Sequence, residues 1–299
     1  MVQPFVREQN LKRGILYGVL SAFSLALMSI FVKEVREQVP TSQLVFFRFG
    51  ISLIILIPWL IQDKNFSFKI QQPFGYVIRI IAALLALFLL FYVIKFLPLV
   101  DALLLNNTSP LFVPLIVWLM RGVKTSKQAL LGILIGFIGV GVILQPDQEI
   151  LRIESLIALA SGFFSALAVV QLRLISKTSP TSQMLFYYFF ISTLVSGLLA
   201  ALQWQPQSPT TWLMLIIIGI LGTAYQVLAT LTYVTAPVRL MAPLIFLAVI
   251  FAGFLDWIIW GQIPDLPTLF GAILVIIGAI ITVYFGKKDF DFANSPPKN

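Results

Sequence analysis

Ten stretches of about twenty residues, each dominated by apolar side chains, run one after another through this chain of 299 residues. They fall near 13–32, 41–61, 74–94, 99–121, 127–145, 154–174, 181–202, 211–232, 238–261 and 267–286. A bilayer core about 30 Å thick needs about 20 apolar residues to be crossed as a helix. Lipid offers no partner to backbone N–H and C=O groups, so each stretch must satisfy its own by coiling. The spacing therefore predicts an all-α membrane protein with ten transmembrane helices. Composition agrees: 59% of residues are hydrophobic and 11% charged, against roughly 45–50% and about 25% in soluble domains. No connection between the stretches is long enough for a soluble domain.

The apolar segments continue to the end of the sequence, which excludes a secretory leader followed by a soluble domain. Arg7, Lys12 and Arg13 precede the first run with no small-residue cleavage site, so that helix reads as an uncleaved anchor. With the N-terminus inside, fifteen Lys and Arg fall on the cytoplasmic side and four (Lys33, Arg36, Lys95, Arg152) on the other, Arg48 lying within a helix. Positive loops stay inside, so both termini are expected in the cytoplasm of a bacterial inner (plasma) membrane. The net charge of +8 is then explained by helix flanks, and no nucleic-acid partner is expected. There is no Cys and no His. This removes disulfides, thiolate sites, and the commonest general base and metal ligand. No cofactor, metal site or catalytic residue is expected.

Comparison of the chain with itself is more informative. Pro40-Thr41-Ser42-Gln43 recurs as Pro180-Thr181-Ser182-Gln183, and through Ser52 and Ser192 eight of thirteen positions are identical. Chance would give about one. Ser21, Phe23, Ala26 and Leu27 match Ser161, Phe163, Ala166 and Leu167 in the same register. One residue shorter in offset, Pro98, Trp118, Gly122, Gly132 and Gly139 match Pro237, Trp257, Gly261, Gly271 and Gly278. An odd number of helices separates the copies, so they cross in opposite senses. The predicted architecture is two inverted five-helix repeats, 1–146 and 147–299. Inverted repeats are a mark of secondary transporters, whose solute site lies near the midplane between the halves.

Several features together look like the EamA branch of the drug/metabolite transporter superfamily. They are ten helices in two halves, Phe46-Phe47-Arg48-Phe49 in the second helix, Pro110-Leu111-Phe112-Val113-Pro114 in the fourth, and Gly132, Gly136 and Gly139 in the fifth. That resemblance implies a central cavity lined mainly by the third, fourth, eighth and ninth helices, with contributions from the first and sixth. The repeat partner of Arg48 is Tyr188, so the two halves differ chemically.

The polar run Asn106-Asn107-Thr108-Ser109 at the middle of the fourth helix is expensive in lipid unless it faces protein or water. Pro110 and Pro114 cannot donate to the carbonyls four residues earlier, so the helix is expected to bend and offer acceptors there. Asn106, Asn107 and Ser109 are candidate cavity residues. Packing glue between helices is the competing role. Aromatic and polar groups on the other expected cavity helices are Phe91, Tyr92, Tyr225, Gln226, Met241 and Phe246, and Pro243 is expected to bend the ninth helix. Arg48 lies about 10 Å below the outer surface at about 1.5 Å per residue. Its burial needs a partner or a wet cavity, and pairing with Asp256 at similar depth or with a backbone carbonyl is expected ahead of direct substrate binding, the alternative. Asp101 is the other intramembrane acid, shallower. The Gly132–Gly136–Gly139 face is expected to pack helices closely within the half, with a homodimer seam as the alternative to a monomer.

These observations favour a secondary transporter working by alternating access. An intramembrane enzyme or a channel, acting on a small solute or lipid, is the alternative. Without His, metalloprotease and Ser–His chemistry are absent, and neither a paired-Asp motif nor a P-loop occurs. A polar, aromatic cavity without a fixed acid suits a zwitterionic or neutral metabolite: an amino acid, a nucleoside-like compound or S-adenosylmethionine. Within the family, the Phe-Phe-Arg-Phe stretch resembles the S-adenosylmethionine-uptake type. Few intramembrane acids favour exchange or facilitated movement over a proton relay.

Overall fold

A computed structural model describes residues 10–122, 125–144, 153–235 and 241–286. Among them are α1 Leu11–Val35, α2 Thr41–Gln62, α3 Pro73–Val93, α4 Leu99–Asn106, α5 Ser109–Arg121, α6 Lys127–Leu144, α7 Ile153–Ile175, α8 Thr181–Leu202, α9 Pro209–Thr235, α10 Met241–Trp260 and α11 Leu266–Phe285. α4 and α5 together form one span, so ten spans are long and apolar enough to cross a membrane. Exposed apolar side chains such as Ile54, Leu119, Leu198 and Ile258 face outward, where lipid would cover them.

The pairing of helices carries the inverted symmetry. α1 packs on α9 and α3 on α7; α1 packs on α10 and α4/α5 on α7; α2 packs on α9 and α3 on α8. Each of these pairs is the other with the halves exchanged. α2 with α8 and α6 with α11 are pairs of equivalents, which the exchange maps onto themselves. The protein is therefore two inverted five-helix repeats, and they are interleaved. One bundle holds α1, α2, α9 and α10; the other holds α3, α4/α5, α7 and α8. Each takes helices from both halves of the chain.

The repeated residues do matching work in the two halves. Thr41 and Thr181 open α2 and α8 after Pro40 and Pro180. Buried Gln43 donates to the carbonyl of Gln205 at 2.8 Å and accepts from the Gln205 N–H at 3.4 Å. Buried Gln183 donates to the carbonyls of Ser67 and Lys69 at 2.5 and 3.0 Å, and Ser182 donates to Asp63. Each glutamine thus clasps a loop of the opposite half, one at each face of the protein.

The repeated glycines meet two different demands. Gly122 and Gly261 have φ of +64° and +67° and cap α5 and α10, donating to Trp118 and Trp257 at 2.8 and 2.9 Å. Glycine is favoured in that left-handed cap because it has no Cβ. At the α6–α11 crossing, a Cβ on Gly139 would stand 2.7 Å from the Gly271 carbonyl oxygen, and one on Gly278 would stand 2.4 Å from the Gly136 nitrogen. This contact joins the two halves, beyond the packing within one half that the small-residue pattern implies; the latter is present at Gly136, where a Cβ would stand 2.5 Å from Leu111 of α5.

Candidate functional site

The fourth span breaks where its polar run sits. α4 ends at Asn106, the Asn107 N–H still donates to the Leu103 carbonyl at 2.9 Å while that of Thr108 tightens to the Leu105 carbonyl at 3.3 Å, and α5 restarts at Ser109 with Pro110 in its first turn. The break is braced on both sides. Asn106 Nδ2 donates to Ser161 and Ser165 of α7 at 2.9 and 3.3 Å. Asn107 Nδ2 donates to the Ile245 carbonyl of α10 at 3.3 Å, which reaches the other bundle. Gly162 lets α7 approach: a Cβ there would lie 2.6 Å from the Leu105 carbonyl oxygen. Thr108 turns inward and caps Leu105 at 2.6 Å.

A central cavity lies between the two bundles and takes its walls from α1, α2, α3, the α4–α5 break, α7, α8, α9 and α10. Polar groups from both bundles converge on it: Asn106, Asn107, Ser109 and Ser165 on one side, Gln226 and Thr232 on the other, with Tyr188, Tyr225 and Tyr233. Its lining on α1, Gly18 to Leu25, belongs to the half of that helix nearer its start. On α7 (Ser165 to Leu172) and α9 (Tyr225 to Tyr233) it belongs to the half nearer the end. The cavity thus reaches from mid-depth toward the face on which α1 begins and α11 ends.

Two arginines stand in this wall. Arg48 has no exposed surface. Its Nη2 donates to the Gly222 carbonyl at 3.2 Å and to Gln226 Oε1 at 3.5 Å, and the guanidinium lies 4.2 Å over the Phe49 ring. A Cβ at position 222 would come within 2.9 Å of the arginine stem, so Gly222 creates the room for it. Nε and Nη1 have no hydrogen-bond partner among the described residues. Arg79, 2% exposed, donates to the Met184 carbonyl at 3.3 Å and stacks 5.1 Å over Tyr188. Among the described residues, no Asp or Glu lines the cavity.

At the opposite face the space between α1 and α10 is closed by a buried ion pair. Lys33 Nζ lies 2.5 Å from Asp256 and 2.6 Å from Gln262 Oε1, and 4.4 Å over the Trp260 ring. The expected Arg48–Asp256 pairing is therefore wrong, and the helix packing gives the reason. α10 packs on α1, which brings Lys33, whereas α2 packs on α8 and α9. The backbone carbonyl named as the alternative partner of Arg48 is present at Gly222.

The sequence pattern of the EamA-like transporter family matches the chain twice, over residues 12–145 and 152–284. The chain belongs to this family. Among curated EamA relatives, the pseudopaline exporter of Pseudomonas aeruginosa is 28% identical over 275 residues, covering 90% of this chain and 95% of that protein. The S-adenosylmethionine uptake transporter of Rickettsia bellii is 25% identical, covering 92% and 94%. The riboflavin transporter of Vibrio cholerae is 24% identical, covering 92% and 95%. A solved crystal structure shares the fold with a TM-score of 0.66 at 19% identity, over 93% of this chain and 99% of its own. This EamA protein is thus a multi-pass membrane protein whose relatives are transporters of small metabolites.

Of the residues singled out in the sequence, Asn106, Asn107, Ser109, Tyr225 and Gln226 stand on the wall of this EamA cavity. Phe91 and Phe246 do not. Both are packed in the core, 0% and 2% exposed. Tyr92 is 42% exposed and stacks on Phe96 at 5.1 Å, beside a separate groove at the far face. A helix has several faces, and membership of a cavity helix does not choose among them. The side chain of Met241 lies outside the described residues. Pro243 sits in the first turn of α10, where its missing N–H would be unpaired in any case and no bend is required. Asp101 accepts from Thr268 of α11 at 2.9 Å, a packing contact away from the cavity. Sequence reasoning missed Arg79, counted as a loop charge although it lies six residues inside α3. It missed Tyr188 except as a repeat partner, and Tyr233 altogether. The available signal was the start of α3 at Pro73, which places Arg79 about 9 Å into the span at 1.5 Å per residue.

Proposed function

We propose that this protein is a secondary transporter that moves a small polar or zwitterionic metabolite across a bacterial inner membrane by alternating access, both termini lying in the cytoplasm. The observation that carries the reading is a polar cavity between two symmetry-related bundles, extending toward one face and closed at the other by Lys33–Asp256. The two bundles, not the two sequence halves, are the bodies that would move, since each bundle is internally packed and the cavity separates them. Asn107, bonded to Ile245 across the gap, would break and remake that contact in each cycle. Inverted repeats supply two related conformations facing opposite sides. An amino acid, a nucleoside-like compound or S-adenosylmethionine fits the mixture of amide, hydroxyl and aromatic groups, and relatives are named for S-adenosylmethionine and riboflavin.

Counterflow tests this. Proteoliposomes preloaded with unlabelled solute should accumulate the labelled form transiently above equilibrium, and solute-free vesicles should not. Equal rates in both would indicate a channel. If entry strictly required an imposed pH gradient, the expected exchange or facilitated movement would be wrong.

A further inference from the structure

The cavity wall holds two guanidinium groups and, among the described residues, no carboxylate to balance them. Buried charges are ordinarily paired, because the desolvation of an isolated one is large. Arg79 spends one N–H on a carbonyl and lies against Tyr188. Arg48 is less satisfied. Only Nη2 is engaged, and its second contact, to Gln226 Oε1, is at 3.5 Å, the outer limit of a hydrogen bond. The Nε and Nη1 hydrogens are unspent.

Two aromatic rings hold the Arg48 guanidinium, Phe49 at 4.2 Å and Phe189 at 5.8 Å. A group so fixed is pre-organised, whereas a flexible lysine would have to be ordered on binding. Arg48 lies about 10 Å from one face and Arg79 about 9 Å from the other, at 1.5 Å per residue along their helices. The positive field therefore extends through the middle of the cavity.

We infer that the transported solute carries an acid group, a carboxylate or a phosphate, received by Arg48 with Gln226 as the residue that yields its place and Arg79 nearer the mouth. This rests on the transporter reading and narrows its substrate class. The neutral amides of Asn106 and Asn107 and the tyrosine faces are left for the remainder of the molecule. Solutes whose net charge is positive are disfavoured by the same pair of arginines, which places S-adenosylmethionine, with a sulfonium and an ammonium against one carboxylate, behind net-neutral and anionic acids.

The test uses the full-length purified protein and matched probes: benzoate against benzamide, adipate against adipamide, and phenyl phosphate as the phosphate arm. Binding is read by calorimetry and by the shift in melting midpoint at constant ionic strength. The acids should bind at least tenfold more tightly than their amides, and the stronger of the benzoate and phenyl phosphate arms names the acid type. Hydrogen bonds to a charged group are worth enough to make Arg48→Gln cost the acids about tenfold or more, with the amides unchanged. Arg79→Gln should lower acid binding less.

If Arg48→Gln fails to fold, the acid-to-amide ratio of the unmodified protein still decides. A ratio near one, tighter amide binding, or no binding of any acid overturns the inference. Counterflow separates the two readings. Exchange of neutral or cationic solutes with no acid preference removes this inference and leaves transport standing. Acid-selective binding without counterflow of any probe leaves the anion site and removes transport.

Discussion

Gln43 and Gln183 show how a single side chain can hold the two halves together. Each amide reaches from the first turns of its helix into a loop of the other half and hydrogen-bonds the backbone there. Truncation to alanine removes these hydrogen bonds, at about 0.5–1.5 kcal/mol each. Gln43→Ala and Gln183→Ala should therefore lower the melting midpoint of detergent-solubilised protein to a similar extent, despite acting at opposite faces. Gly139 obeys a different rule. Its neighbour is the backbone of Gly271, 2.7 Å from any added Cβ, so no side-chain rearrangement can relieve a clash. Gly139→Val should destabilise by about 1–3 kcal/mol or more, whereas Gly141→Ala, with nothing within 4 Å, should be neutral in the same melting experiment.

At the scale of elements, the Lys33–Asp256 pair ties the end of α1 to α10 on the closed face. By the repeat offset, Lys33 corresponds to Arg173 and Asp256 to Val117, so this pair has no copy at the other end. Breaking one side of a buried pair costs about 3–5 kcal/mol because the remaining charge is stranded. Asp256→Asn should therefore loosen the closed face, and Lys33→Met with Asp256→Leu should restore much of the closure through apolar packing. The chain contains no cysteine, so Met28→Cys makes a single reporter between cavity and latch. Labelling by a membrane-impermeant maleimide added from the Lys33 side should rise in Asp256→Asn and fall back in the double variant. No change in labelling would show that the pair does not close this route.

The spans, the inverted repeat and the break at Asn106–Pro110 were legible in the sequence because each depends on residues close together in the chain: a run of twenty, a recurring tetrapeptide, a proline four residues after a carbonyl. The partner of Asp256 was not, since it depends on which helices touch. Phe91 and Phe246 fail for a related reason: hydropathy finds a helix but does not say which of its faces meets the cavity. Arg79 lies inside the expected span 74–94, but counting charges by side assigns it to the flank of that helix and not to its interior.

At the scale of the whole molecule, the interleaving decides what can exist alone. Residues 1–146 and 147–299, expressed separately, should each be degraded or aggregate, and co-expression should recover a stable complex that copurifies. A stable isolated half would contradict the bundle assignment. The same arrangement sets a schedule for synthesis. Arg48 and the Gly222 carbonyl it bonds are 174 residues apart. At roughly 5–20 residues per second the ribosome needs about 10–35 s to deliver the second after the first. Throughout that interval the nascent first half sits in the membrane with its arginine unclaimed, so the insertion machinery, or lipid headgroups drawn down to it, must shelter a charge that the finished protein shelters by itself.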